Sequence, residues 1–314
     1  MSKKAVNWND VSELDKALWD QNVRQFWVDT EIPISDDKLT WKLLNDNQKD
    51  TYKKILGGLT FLDTQQGGVG IPNIAIKLNN LHQKSVLSFM GMMEHMHAKS
   101  YSSIFSTLCQ KNEIDDLFNW VDNNPLLNEK LKLILNIYNN INTQNDLALA
   151  MGASVMLESF LFYSGFFYSL YLSGNGMLSN SNEIINLIIR DESIHGAYIG
   201  KLYKDLEKNE AEVEKSIDNL FTNLYEIEKE YNTMLYSNLR LDKEADIFIK
   251  YNANKAFRNL GLENRFNITD NDVNPLVLKG LDTTTKTHDF FSKKGNGYIK
   301  PMKSELISDD DFNM

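Results

Sequence analysis

The stretch "MMEHMHAKSY", residues 92–101, puts a glutamate, two histidines and a tyrosine within eight positions. It lies inside "LHQKSVLSFMGMMEHMHAKSYSSIFSTL" (81–108), whose apolar residues recur with helical rather than alternating spacing. A helix turns about 100° per residue, so with Glu94 at zero His97 falls at about −60°, Tyr101 at about −20° and His95 at about +100°. His97 and Tyr101 therefore share a stripe with Glu94, and His95 does not.

The Glu-x-x-His spacing returns in "RDESIHGAY" (190–198), as Glu192 and His195. Ionised glutamates do not sit on apolar helix faces without partners. Two more carboxylates stand in such surroundings: Asp63 interrupts "ILGGLTFLDTQQ", and Glu158 interrupts "SVMLESFLFYSGFF". Asp63, Glu94, Glu158 and Glu192 carry four negative charges if ionised, which two divalent cations balance. Carboxylate oxygens with neutral imidazoles suit iron or manganese better than thiolate-preferring metals. Two helices each giving a carboxylate and two each giving Glu-x-x-His is the pattern of di-iron and di-manganese bundles. The expected set is Asp63, Glu94, His97, Glu158, Glu192 and His195. The competing reading is four unrelated buried acids with chance histidine neighbours.

The rest of the chain agrees with an all-α protein. No proline lies between Pro125 and Pro275, which permits a series of long helices. Helical spacing continues through 147–172 and 182–206, and 217–236 reads as a more amphipathic, partly exposed helix. "GGVGIP" (67–72) reads as a helix break; it lacks the Gly-Lys-Ser/Thr ending of a phosphate loop. Residues 286–314 are richer in glycine and scattered charge and read as a flexible tail behind a helical domain at 1–285.

Composition narrows the partners. With 33 basic and 43 acidic side chains the net charge is −10, which repels phosphate backbones and argues against nucleic acid. No run of about 18 uninterrupted apolar residues argues for a membrane span, and the N-terminus does not read as a signal peptide. The single cysteine, Cys109, fits a reducing cytoplasm and reads as a small buried residue on a helix. Met90, Met92, Met93 and Met96 read as adaptable core packing. His82 and His288 carry no motif.

Together these segments resemble the small, radical-generating subunit of class I ribonucleotide reductase, most closely class Ib. "QFWVDTEIPISDD", "MEHMHAKSYSSIFSTL", "LESFLFYSGFFYSLYL" and "LIIRDESIHGAYIG" carry the likeness over most of the chain. The resemblance implies a ferritin-like bundle, with Asp63, Glu94 and His97 on one ion and Glu158, Glu192 and His195 on the other. It implies that Tyr101 is oxidised to a stable radical. It also implies that Asp191 links His97 to Trp27 for radical transfer, and that Tyr298 passes the radical between subunits. The implied partners are a second copy in a homodimer, a large reductase subunit docked through the C-terminal tail with apolar Leu306, Ile307 and Phe312 as anchors in an acidic frame, and a flavodoxin-like activase if the metal is manganese. Rival readings are a ferritin-like iron-storage protein and a stand-alone dimetal oxidase; neither needs Tyr298 or an acidic docking tail.

Overall fold

A computed structural model describes residues 4–281. The expected domain boundary at 285, the tail 286–314, His288, Tyr298, Leu306, Ile307 and Phe312 lie outside the described residues.

The described residues form helices and no strands. In chain order they are α1 (Glu13–Gln25), α2 (Lys38–Leu43), α3 (Asp46–Gln65), α4 (Ile71–Lys77), α5 (Leu81–Leu108), α6 (Lys111–Asn123), α7 (Pro125–Asn139), α8 (Gln144–Met156), α9 (Phe162–Gly174), α10 (Ser179–Asp205), α11 (Glu210–Tyr236), α12 (Asp242–Leu260) and α13 (Pro275–Leu281). Short 3₁₀ turns connect several of them. The starts are chemically marked. Asn45 and Gln48 cap α3 reciprocally, side chain to backbone at 3.0 and 2.9 Å. Asn80 accepts from the amide of His82 at 2.8 Å to open α5. Proline stands at the first position of α7, where its missing N–H costs no helical hydrogen bond.

The core of the bundle is built from α3 against α5 and α9, α5 against α10, and α10 against α8 and α9. Around this core α1 lies on α5, α11 on α7 and α8, and α13 on α9. The last contact is close, because Gly280 brings its backbone against the Leu170 carbonyl, where a Cβ would collide.

Helix α5 keeps the expected bounds. The expected 147–172 helix runs from 144 to 174, but a π turn, Leu157–Leu161, divides it. Its most apolar window has a mean hydropathy of 1.5, enough to cross a membrane by length and composition, yet 94% of that window is buried inside the bundle. It is the central core helix, and the absence of an unbroken apolar run understated how apolar it is. "GGVGIP" does not break a helix either. Gln66–Gly70 forms a second π turn that leads from α3 straight into α4. Cys109 is only half-buried and sits just past the end of α5. Met92 is exposed, whereas Met90 and Met93 are buried.

Candidate metal centre

Four core elements each turn one or two polar side chains inward. Asp63 comes from the last turn of α3, Glu94 and His97 from the middle of α5, Glu158 from the π turn between α8 and α9, and Glu192 and His195 from α10. All six are fully buried. π turns insert one residue into a helix and re-aim its side chains, often at functional sites. Here both flank the helices that give a single carboxylate: one contains Glu158, and the other begins three residues past Asp63.

The six side chains make two overlapping groups. Asp63, Glu94, His97 and Glu192 bring one ligand atom each within 4.8 Å of one another, and so do Glu94, Glu158, Glu192 and His195. Glu94 and Glu192 belong to both. His97 Nδ1 lies 2.9 Å from Glu192 Oε1 and 3.4 Å from Glu94 Oε2. His195 Nδ1 lies 2.8 Å from Glu94 Oε1, 3.4 Å from Glu158 Oε2 and 3.8 Å from Glu192 Oε2. None of these approaches has hydrogen-bond geometry. Both oxygens of Asp63, Glu94 and Glu192, Oε2 of Glu158, and Nδ1 of both histidines have no hydrogen-bond partner.

So many orphaned buried atoms in one place is rare in a folded protein. Buried carboxylates converging without donors need cations between them. The electrostatics of the site point the same way. Burial and neighbouring carboxylates, Glu94 foremost, push Asp63 and Glu192 well above the ordinary carboxylate range. Burial disfavours the charged form of both histidines, but Asp191 and Glu94 hold His97 up at about 9, and Glu158 and Glu94 hold His195 at about 10. By themselves the six side chains balance charge only by taking up protons. Two divalent ions replace those protons, so the donor set fits a dimetal centre of iron or manganese.

Tyr101 is fully buried on the same stripe of α5. Its hydroxyl and the Asp63 carboxylate influence each other's titration without a hydrogen bond of ordinary geometry. Burial and the Asp63 charge push its pKa far up, so it stays a neutral phenol. On the far side of His97, Nε2 approaches Asp191 Oδ2 at 3.3 Å, and the same oxygen accepts from Trp27 Nε1 at 2.8 Å. The Trp27 and His97 rings lie nearly parallel, 6.2 Å between centres. His95 is exposed to solvent, and His82 Nε2 lies 2.9 Å from the Asn7 carbonyl.

Residues 5–275 match the family model described as ribonucleotide reductase, small chain. The chain belongs to that family. The small chain is 48% identical over 317 residues to the ribonucleoside-diphosphate reductase subunit beta of Bacillus subtilis, spanning 98% of this chain and 95% of the relative. It is 38% identical to the reductase 2 subunit beta of Escherichia coli, over 98% of each. Among solved structures, the dimanganese(II)-NrdF of Streptococcus sanguinis superposes with a TM-score of 0.84 at 44% identity, covering 89% of this chain and 99% of that one.

The small chain also buries polar residues that spacing did not single out. Gln66 and Ser154 are fully buried and Tyr138 nearly so. Gln66 Nε2 donates to Glu158 Oε1 at 2.5 Å. Gln25 Nε2 donates to Asp191 Oδ1 at 2.7 Å. Gln66 stands three residues past Asp63, the same interval as Glu-x-x-His, which was the available signal. Gln25 and Tyr138 offered none, because their partners are far away in sequence.

Proposed function

We propose that this chain is the metal-bearing, radical-generating subunit of a ribonucleoside-diphosphate reductase. Asp63, Glu94 and His97 hold one ion, Glu158, Glu192 and His195 hold the other, and Glu94 and Glu192 lie close enough to both sites to be shared. The carrying observation is the overlap of two buried ligand groups beside a fully buried phenol. Bound there and oxidised by an oxygen-derived oxidant, a pair of such ions would supply the oxidising equivalent that Tyr101 stores. The description of the Streptococcus sanguinis structure as dimanganese(II) supports manganese as one of the two metals in question.

The protein's own groups do the rest. Tyr101 gives up an electron and a proton together, and the Asp63 carboxylate beside its hydroxyl is the acceptor for that proton. The apolar wall of the bundle keeps water from the phenol. His97 Nε2–H faces Asp191, so Nδ1 keeps its lone pair for the metal; an outer carboxylate of this kind orients the imidazole and raises its basicity. The line His97–Asp191–Trp27 is the proposed route out of the bundle, and Tyr298 is the proposed next station toward the large subunit.

The subunit works as a homodimer in the cytoplasm, docks on a large subunit through residues 286–314, and draws its oxidant from a flavodoxin-like activase if it carries manganese. An iron-storage protein or a stand-alone oxidase has no use for the Trp27–Asp191–His97 line. The test is Glu192→Ala, with metal counted and electron paramagnetic resonance recorded after activation. The variant loses at least one ion per chain and the whole tyrosyl signal. Two retained ions would overturn the assignment.

A further inference from the structure

The "GGVG" stretch takes no part in the steps above, yet it shapes one wall of the centre. Gln66 opens this π turn with its amide fully engaged. Nε2 donates to Ser154 Oγ at 2.6 Å and to Glu158 Oε1 at 2.5 Å, and Oε1 accepts from the Tyr138 hydroxyl at 2.8 Å. A primary amide has two N–H donors, and both are used here. Turning the amide over would set its oxygen against the Glu158 carboxylate and its N–H groups toward Tyr138. The Tyr138 O–H, itself buried and needing an acceptor, holds the amide the right way round.

The turn makes this reach possible. A Cβ on Gly70 would strike Gln66 Oε1 and come within 2.6 Å of the Tyr138 ring; one on Gly67 would lie 2.9 Å from both Glu94 Cβ and the Gly91 carbonyl. Larger residues at either position would push Gln66 off Glu158 or the π turn off α5. Ser154, one turn before Glu158, closes the other side. Glu158 thus has Oε1 committed to an amide, while Oε2 faces His195 Nδ1 at 3.4 Å without a hydrogen bond.

We infer that Gln66, oriented by Tyr138 of α7, is the positioning residue of Glu158: it occupies Oε1 and leaves Oε2 for the second ion. Because Tyr138 stands on a helix that supplies no ligand, the geometry of the second metal position is set partly from outside the four ligand-bearing elements. The inference rests on the dimetal reading above.

The test uses the full chain and manganese(II). Wild type, Gln66→Leu and Tyr138→Phe are titrated with manganese(II), and binding stoichiometry, affinity and the resonance lineshape of the loaded protein are recorded, with circular dichroism as a check on folding. Loss of a partner that orients a metal ligand weakens binding about 10–100-fold, and that is the expected loss at the second position in Gln66→Leu. Tyr138→Phe keeps ring volume and the amide but removes what orients it. It weakens the second ion by less and shifts the lineshape in the same sense, while the first ion binds as in wild type. If Gln66→Leu does not fold, Tyr138→Phe alone decides the outcome. Wild-type affinity and lineshape in the folded variants overturn this inference and leave the dimetal reading intact. A wild-type protein that binds no pair of ions overturns both.

Discussion

Trp27 Nε1 donates a 2.8 Å hydrogen bond to Asp191 Oδ2 across 164 positions of sequence. The other oxygen of Asp191 accepts from Gln25 Nε2 at 2.7 Å, and Arg190 donates to the Gln25 carbonyl at 2.6 Å. Burial opposes ionisation of Asp191, but Arg190 and His97 outweigh it and hold its carboxyl below the usual range. It is therefore an ionised acceptor shared by Trp27 and His97. Asp191→Ala leaves buried donors on Trp27 and Gln25 unpaired, at about 1–3 kcal/mol for each group. The variant binds the His97-side ion more weakly but, loaded with excess metal, still forms the Tyr101 signal, while turnover with the large subunit collapses. Normal turnover in a radical-bearing Asp191→Ala protein would remove this line from the transfer route.

Tyr101→Phe separates metal binding from radical storage. It removes one oxygen that has no hydrogen-bond partner and keeps the ring's volume, so stability changes by less than about 1.5 kcal/mol. Two ions load, no tyrosyl resonance develops after activation, and reductase activity is lost. A persistent tyrosyl signal would reassign the radical to another buried tyrosine, such as Tyr163 or Tyr168.

Lys130 of α7 and Glu228 of α11 form a fully buried ion pair, with the Lys130 ammonium 4.0 Å from the centre of the Tyr231 ring. Burial pulls the Lys130 pKa down and Glu228 pulls it up, the first effect being larger. Lys130→Met strands a buried carboxylate and costs about 3–5 kcal/mol. Lys130→Met with Glu228→Leu strands nothing and costs far less. Denaturant midpoints of the metal-loaded proteins read this difference; equal losses would mean that the pair carries no coupling.

Truncation after Lys294 removes Tyr298 together with Leu306, Ile307 and Phe312. Because a few buried side chains dominate most docking, this variant keeps both ions and the Tyr101 signal yet gives no turnover with the large subunit. Turnover by the shortened chain would strip the tail of its docking role.

The period of an α-helix is local, and that is why so much of the centre could be read from the chain. Glu94, His97 and Tyr101 share a stripe whatever packs on it, as do Glu192 and His195, and acids in apolar helices demand cations wherever the helices go. The bounds of α5 follow equally from local chemistry, with Asn80 as its cap. The two π turns did not follow, because an inserted residue leaves no mark on apolar spacing; so "GGVG" reads as a break where the chain stays helical. Tertiary packing alone decided that Glu94 and Glu192 face both ligand groups, that Gln66 and Tyr138 reach Glu158, and that Trp27 meets Asp191. Each of these depends on the angle and distance at which helices far apart in sequence cross. Those are set by the whole core at once and by no single segment of it.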